Sequence, residues 1–286
     1  MKIGISTYSL SREAVAGRMN VEGMIDFVAD NGGEQIELSP GDWCNTADNA
    51  VVDGIVRHAR KRNILLSSYT VGANFAKESA DERKAEIERI KGQIDIGARL
   101  GVPVMRCDAG SRPVAECTFE QFERDLPAVA ECCGIIADYA AKYGIMLTME
   151  NHGFLFQHSE RVQRLLRMVN RKNYRTTLDV GNFLCADEDP VVAIQNNISY
   201  AVQIHFKDFI RIAPGEYLPA GDWLRTRAGY ALRGTIIGHG VLNLPLIADI
   251  IKKSGYDGCI SVEFEGPEDC FLGCSQGMAT LRDLFK

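Results

Sequence analysis

Short apolar runs alternate with helical patterns eight times along this chain, and that alternation limits the folds open to it more than any other feature. The runs cover residues 2–6, 34–38, 64–69, 102–106, the stretch 144–153, 175–179, 201–206 and 258–264. Between them lie segments with helix starts and stops. One helix is expected over 21–30, stopped by Asn31-Gly32-Gly33, and a second over 51–62. Ser79 and Glu82 form a capping box for a third helix, which runs to Leu100 and stops at Gly101. Thr118 and Gln121 open a fourth, which carries Pro127 and ends at Gly144, and a fifth covers 159–169. Asp189 followed by Pro190 opens a sixth over 190–198, a seventh follows Asn243, and an eighth closes the chain over 275–285. Parallel neighbours need a long crossover between them, so strands alternating with helices imply a parallel sheet. Eight units imply a closed (β/α)8 barrel, a single α/β domain over residues 1–286. An open doubly wound sheet would want a Gly-x-Gly-x-x-Gly turn after the first strand, and Ser6-Thr7-Tyr8 does not supply one.

Four of the runs finish on a group that can bind a metal. GIMLTMENHG carries Glu150, RTTLDVGN carries Asp179, AVQIHFKD carries His205 and GCISVEFEG carries Glu263. Barrel enzymes build their sites at the carboxyl ends of the strands, so all four would face one mouth. One such carboxylate alone reads equally well as a salt bridge or a helix cap. Three carboxylates and an imidazole together suit a single divalent ion such as Mn²⁺, Zn²⁺, Co²⁺ or Mg²⁺.

Charge and cysteine usage narrow the partners. A net charge of −6 and a pI near 5.5 give no electrostatic footprint for nucleic acid. MKIGISTYSL lacks the features of a secretory signal, and no run is long enough to span a membrane, so a cytoplasmic protein is expected. The nine cysteines, among them Cys107, Cys132, Cys133 and Cys259, sit within strand and helix patterns and read as reduced, buried residues. Cys270 and Cys274 lack the second ligand pair of a structural zinc site.

ENHG after the fifth strand, LDVGN after the sixth, HFKD after the seventh and GYDGCISVEFEG around the eighth resemble the xylose isomerase-like sugar phosphate isomerase/epimerase superfamily. That group includes inosose isomerases, inosose dehydratases and ketose 3-epimerases. The resemblance spans nearly the whole chain and is strongest from Gly144 onward. It implies a TIM barrel holding one ion on Glu150, Asp179, His205 and Glu263, with Glu150 and Glu263 as the acid/base pair. An ion held by adjacent oxygens of a hydroxy ketone polarises the carbonyl and favours an enediolate, through which the two glutamates would relay a proton. The leading expectation is therefore a metal-dependent isomerase or epimerase of a small sugar, keto-sugar or inosose. The alternatives are a metal-dependent dehydratase of an inosose or related keto-polyol, and a non-catalytic sugar-binding barrel. A metal-dependent nuclease is opposed by the acidic charge.

Other residues carry two readings each. His152, two residues beyond Glu150, would share its direction and contact substrate, or else would support the ligands from behind. Lys207 and Arg106 would hold substrate oxygens or pair with barrel carboxylates. Asn182 could hydrogen-bond a substrate hydroxyl; several ketose epimerases have a titratable histidine in this segment, and the departure counts against a ketose 3-epimerase. Trp43 and Tyr8 would be sugar-stacking walls or loop anchors, as would Phe154 and Phe156. His58 and His158 read as solvated, and His239 as structural. The connection over about 210–240 is long and mixes Arg211, Arg225, Arg227 and Arg233 with Tyr217, Trp223 and Tyr230. It is expected to lie on the catalytic face as a lid and as a contact in a homo-oligomer, a dimer or tetramer.

Overall fold

A computed structural model describes residues 1–286. Eight strands close a parallel barrel. In chain order they are β1 (Lys2–Ser6), β2 (Gln35–Leu38), β3 (Leu65–Val71), β4 (Val104–Cys107), β5 (Met146–Glu150), β6 (Tyr174–Asp179) and β7 (Ala201–Phe206), then, after three strands outside the barrel, the last barrel strand at Cys259–Val262. That last strand pairs with β7 on one side and with β1 on the other, Lys2 opposite Cys259 through Ile5 opposite Val262, which shuts the ring.

The sequence signals explain where the helices begin and end. Ser79 and Glu82 form the reciprocal capping box, and Gly101 ends that helix in the left-handed conformation at φ 72°. Thr118 accepts from the Gln121 amide, and Asp189 accepts from the Val192 amide with Pro190 in the first turn. The closing helix runs over Cys270–Leu284, beginning before the expected 275, because Asp269 caps it by accepting from the Leu272 amide. Tyr8 lies on a short 3-10 helix, Thr7–Leu10, rather than on an open loop.

The stretch read as a loop over 210–240 contains three short strands. Strands β8 (Asp208–Ile212), β9 (Leu224–Arg225) and β10 (Ala231–Thr235) make a small antiparallel sheet in the order β8-β10-β9; the barrel strand Cys259–Val262 is then β11. Phe209 and Leu232 from this sheet pack with Leu184 and Cys185 in a separate apolar cluster, and that burial is what the scattered arginines of the segment conceal in the sequence. No helix is long and apolar enough to cross a membrane.

The barrel interior is polar. Residues two apart on a strand share a face, and five strands place a small polar or amide residue below a carboxylate or imidazole. These pairs are Gln35 with Glu37, Thr148 with Glu150, Thr177 with Asp179, Gln203 with His205, and Ser261 with Glu263. Thr148 and Thr177 hydrogen-bond each other at 2.7 Å, and Gln203 donates to Ser261 at 2.9 Å. The intervening Ile36, Met149, Leu178, Ile204 and Val262 are buried in the large apolar core.

Candidate metal centre

Glu150, Asp179, His205 and Glu263 converge as their strand-end positions imply: one ligand atom from each lies within 4.8 Å of all the others, and all four residues are buried. Three of their atoms have no hydrogen-bond partner, namely Glu150 Oε2, Asp179 Oδ2 and His205 Nδ1. Buried polar atoms are rarely left without a hydrogen bond. A divalent cation coordinated by these atoms would resolve all three at once, so the residues fit the ion.

Local hydrogen bonds aim the ligands. Asp179 Oδ1 accepts from the amides of Gly181 and Asn182 at 2.8 and 2.7 Å, which turns Oδ2 inward. Asn151 locks the ends of β5 and β6 together by donating to the Asp179 carbonyl and accepting from the Asp179 amide, both at 2.9 Å. Asn182 donates to Glu150 Oε1 at 2.8 Å. Gly181 is required because a Cβ there would lie 2.6 Å from Lys207 Cγ.

Two cations reach into the cluster. Lys207 Nζ is 2.6 Å from Glu263 Oε2, 3.2 Å from Glu265 Oε1 and 3.5 Å from Asp179 Oδ2. Arg106 Nη2 lies 2.9 Å from Glu150 Oε2, without hydrogen-bond alignment, and 2.6 Å from Asp108 Oδ1. Burial opposes ionisation of Glu150, but Arg106 and His205 together hold the carboxyl down at about 2. Burial also opposes charge on Glu263, and Lys207 and His205 together hold it well below the usual carboxylate range. Asp179 has weaker help, and burial pushes it up to about 7 against the Lys207 ammonium. His205 and Lys207 both move well upward: burial disfavours their charge, but Glu37 leads the carboxylates that hold the proton on His205, and Asp179 leads those on Lys207. Four buried carboxylates, counting Glu37, thus face two permanent cations and a histidine.

Lys207 and Asn182, which touch Glu263 and Glu150, also line a cavity of about 860 Å³ with His152, Glu265, Trp223 and Arg233; the four clustered residues themselves are not in its lining. His152 Nδ1 is 3.8 Å from Asp108 Oδ1, and this contact outweighs burial and raises the imidazole pKa. Phe154 lines the cavity too, whereas Phe156 is buried against Phe122. Of the residues expected to touch substrate, His152, Lys207 and Asn182 line this cavity and Arg106, Tyr8 and Trp43 do not. Arg106 is taken up by its two carboxylates, and Trp43 is half-buried against the core. Tyr8 is 45% exposed, and Glu265, burial and Glu263 raise its hydroxyl pKa. Trp223 and Arg233 come from the folded 208–235 segment, with the guanidinium 4.6 Å from the indole ring centre. His239 is exposed, and the segment around it is tied down by Asp208.

The family model described as the xylose isomerase-like TIM barrel matches residues 25–284. The chain belongs to that family. Among curated relatives, an inosose dehydratase of Lacticaseibacillus casei is 29% identical over 133 residues, covering 46% of this chain and 44% of that enzyme. The match thus spans less than half the length of that relative. Among solved structures of the family's fold, IOLI, determined with a bound zinc atom, superposes with a TM-score of 0.77 at 17% identity over 100% of this chain and 98% of its own. D-psicose 3-epimerase of Clostridium cellulolyticum H10, determined with D-tagatose, gives 0.75 at 16% identity over 100% of both chains. At such identities these two share the fold.

Glu37 escaped the sequence reading. It sits on β2 with its carboxylate in the barrel, 2.7 Å from His205 Nε2. The signal was present in Gln35-x-Glu37, the same polar-x-acid spacing as Thr148-x-Glu150.

Proposed function

We propose that this protein is a divalent-metal-dependent lyase that removes water from a small keto-polyol such as an inosose. The observation that carries the reading is the set of three candidate ligand atoms without hydrogen-bond partners, Glu150 Oε2, Asp179 Oδ2 and His205 Nδ1, next to a cavity to which Lys207 and Asn182 connect them. Glu150, Asp179, His205 and Glu263 hold the ion, which supplies Lewis acidity to the substrate carbonyl when bound.

The chain's own groups do the rest. Glu263, kept ionised by Lys207, takes the proton from the carbon beside the ketone. The released electron pair forms the new double bond as the bond to the β-hydroxyl breaks. His152, on the cavity wall with Asp108 behind it, gives that hydroxyl a proton so that it leaves as water. Lys207 keeps its ammonium at the cavity floor, where it holds a substrate oxygen, and Asn182 steadies Glu150. Phe209, Leu232 and Arg233 of the small sheet form part of the cavity wall.

Elimination is placed ahead of isomerisation because the curated relatives are inosose dehydratases and because His152 provides a titratable group beyond the ligand set. Isomerisation or epimerisation is the second reading, favoured by two glutamates held by separate cations, Arg106 on Glu150 and Lys207 on Glu263. The test incubates the Mn²⁺- or Co²⁺-loaded protein with 2-keto-myo-inositol in D₂O. An absorbing enone product supports the lyase. Deuterium entering recovered or rearranged ketone without an enone supports the second reading instead.

A further inference from the structure

We infer that Glu37 is a positioning residue which fixes the tautomer of His205, so that the imidazole offers Nδ1, and not Nε2, to the ion. The inference rests on the metal reading above. Glu37 Oε2 lies 2.7 Å from His205 Nε2, and both side chains are wholly buried. The rest of the Glu37 carboxylate is surrounded by donors: Thr70 Oγ1 donates to Oε1 at 2.7 Å, while Gln203 Nε2 and Ser261 Oγ each lie 3.3 Å from Oε2. Ser261 Oγ is itself approached by the amide nitrogens of Gln35 at 3.2 Å and Gln203 at 2.9 Å, which leaves its hydrogen for Glu37.

This environment presents Glu37 to His205 as an acceptor, so the proton on that side of the ring belongs to Nε2. A bare Nε2 lone pair would face a carboxylate oxygen at hydrogen-bond distance with nothing between them. On the opposite edge, Nδ1 has no hydrogen-bond partner and points among the other ligands, 3.6 Å from Glu150 Oε2 and 3.5 Å from Glu263 Oε1. Nδ1 is therefore the coordinating atom. A carboxylate on the far nitrogen also makes the imidazole a stronger donor and fixes its ring orientation. The ladder changes register between Ile36 and Glu37, and such irregularities re-aim side chains near functional sites.

Two measurements test it. The first is calorimetric titration of metal-free wild type and Glu37→Gln with Co²⁺, with circular dichroism to check that the variant is folded. Wild type should bind, and the variant should bind about 10–100-fold more weakly. If both bind within about threefold, Glu37 has no positioning role, although the metal reading stands. If wild type itself does not bind, the metal reading falls and takes this inference with it. The second needs no variant at Glu37: ¹⁵N-histidine spectra of the Zn²⁺-loaded wild type, with His205 assigned by its loss in His205→Gln. A proton on Nε2 and metal on Nδ1 is expected, and the reverse overturns the inference.

Discussion

Lys207 Nζ stands 2.6 Å from Glu263 Oε2, with the lysine side chain 4% exposed and the glutamate 9%. An ion pair this deep does not by itself make a fold stable, but breaking it leaves a charge in low dielectric. Lys207→Met should therefore lower the stability of the metal-free protein by about 3–5 kcal/mol in a denaturant titration. Added Zn²⁺ should recover much of that loss, because the ion neutralises the same carboxylates. Equal stability of variant and wild type without metal would show that Glu263 and Asp179 are otherwise compensated.

Substitution of His152 would separate the proposed proton transfer from metal binding. It lines the cavity and lies outside the four-ligand cluster. His152→Gln should keep the wild-type metal content while the turnover number falls by roughly 10²–10⁴, the usual contribution of a positioned acid or base. Unchanged turnover would remove His152 from the mechanism, and loss of the ion would make it a ligand.

The sequence makes some of this architecture plain and hides the rest for physical reasons. The barrel was legible because each unit carries its own punctuation, such as the Ser79 capping box and the left-handed Gly101. The convergence of Glu150, Asp179, His205 and Glu263 was legible because four strand ends break from apolar to titratable residues. Glu37 was not, since a single acid inside the short strand Gln35–Leu38 looks like a lone salt bridge until the barrel closes and brings β7 across from it. The strands over 208–235 were hidden by their composition: exposed Arg211 and Arg225 alternate with few apolar residues, and their partners Leu184 and Cys185 come from another loop. Arg106 and Asn182 could be placed at the mouth, but whether they meet substrate or Glu150 depends on distances that no spacing encodes.

Asp208 holds the connection that leads from the small sheet back to the barrel. Its carboxylate accepts from the amides of Phe209, Gly238, Gly240 and Leu242. Asp208→Asn keeps one acceptor oxygen and turns the other into a donor facing amides. A loss of about 1–3 kcal/mol is expected from the amides left unsatisfied. Amide hydrogen exchange should quicken at residues 238–242 before it does in the barrel strands. Uniform exchange across the chain would contradict a local anchoring role.

The central claim is that Glu150, Asp179, His205 and Glu263 hold one divalent ion, and the most direct test is elemental mass spectrometry of the chain after supply of Mn²⁺, Co²⁺ or Zn²⁺ and removal of excess. Wild type should retain about one ion per chain, and folded Asp179→Ala and His205→Ala should retain almost none. Wild type without a bound ion, or variants that hold as much as wild type, would contradict the claim.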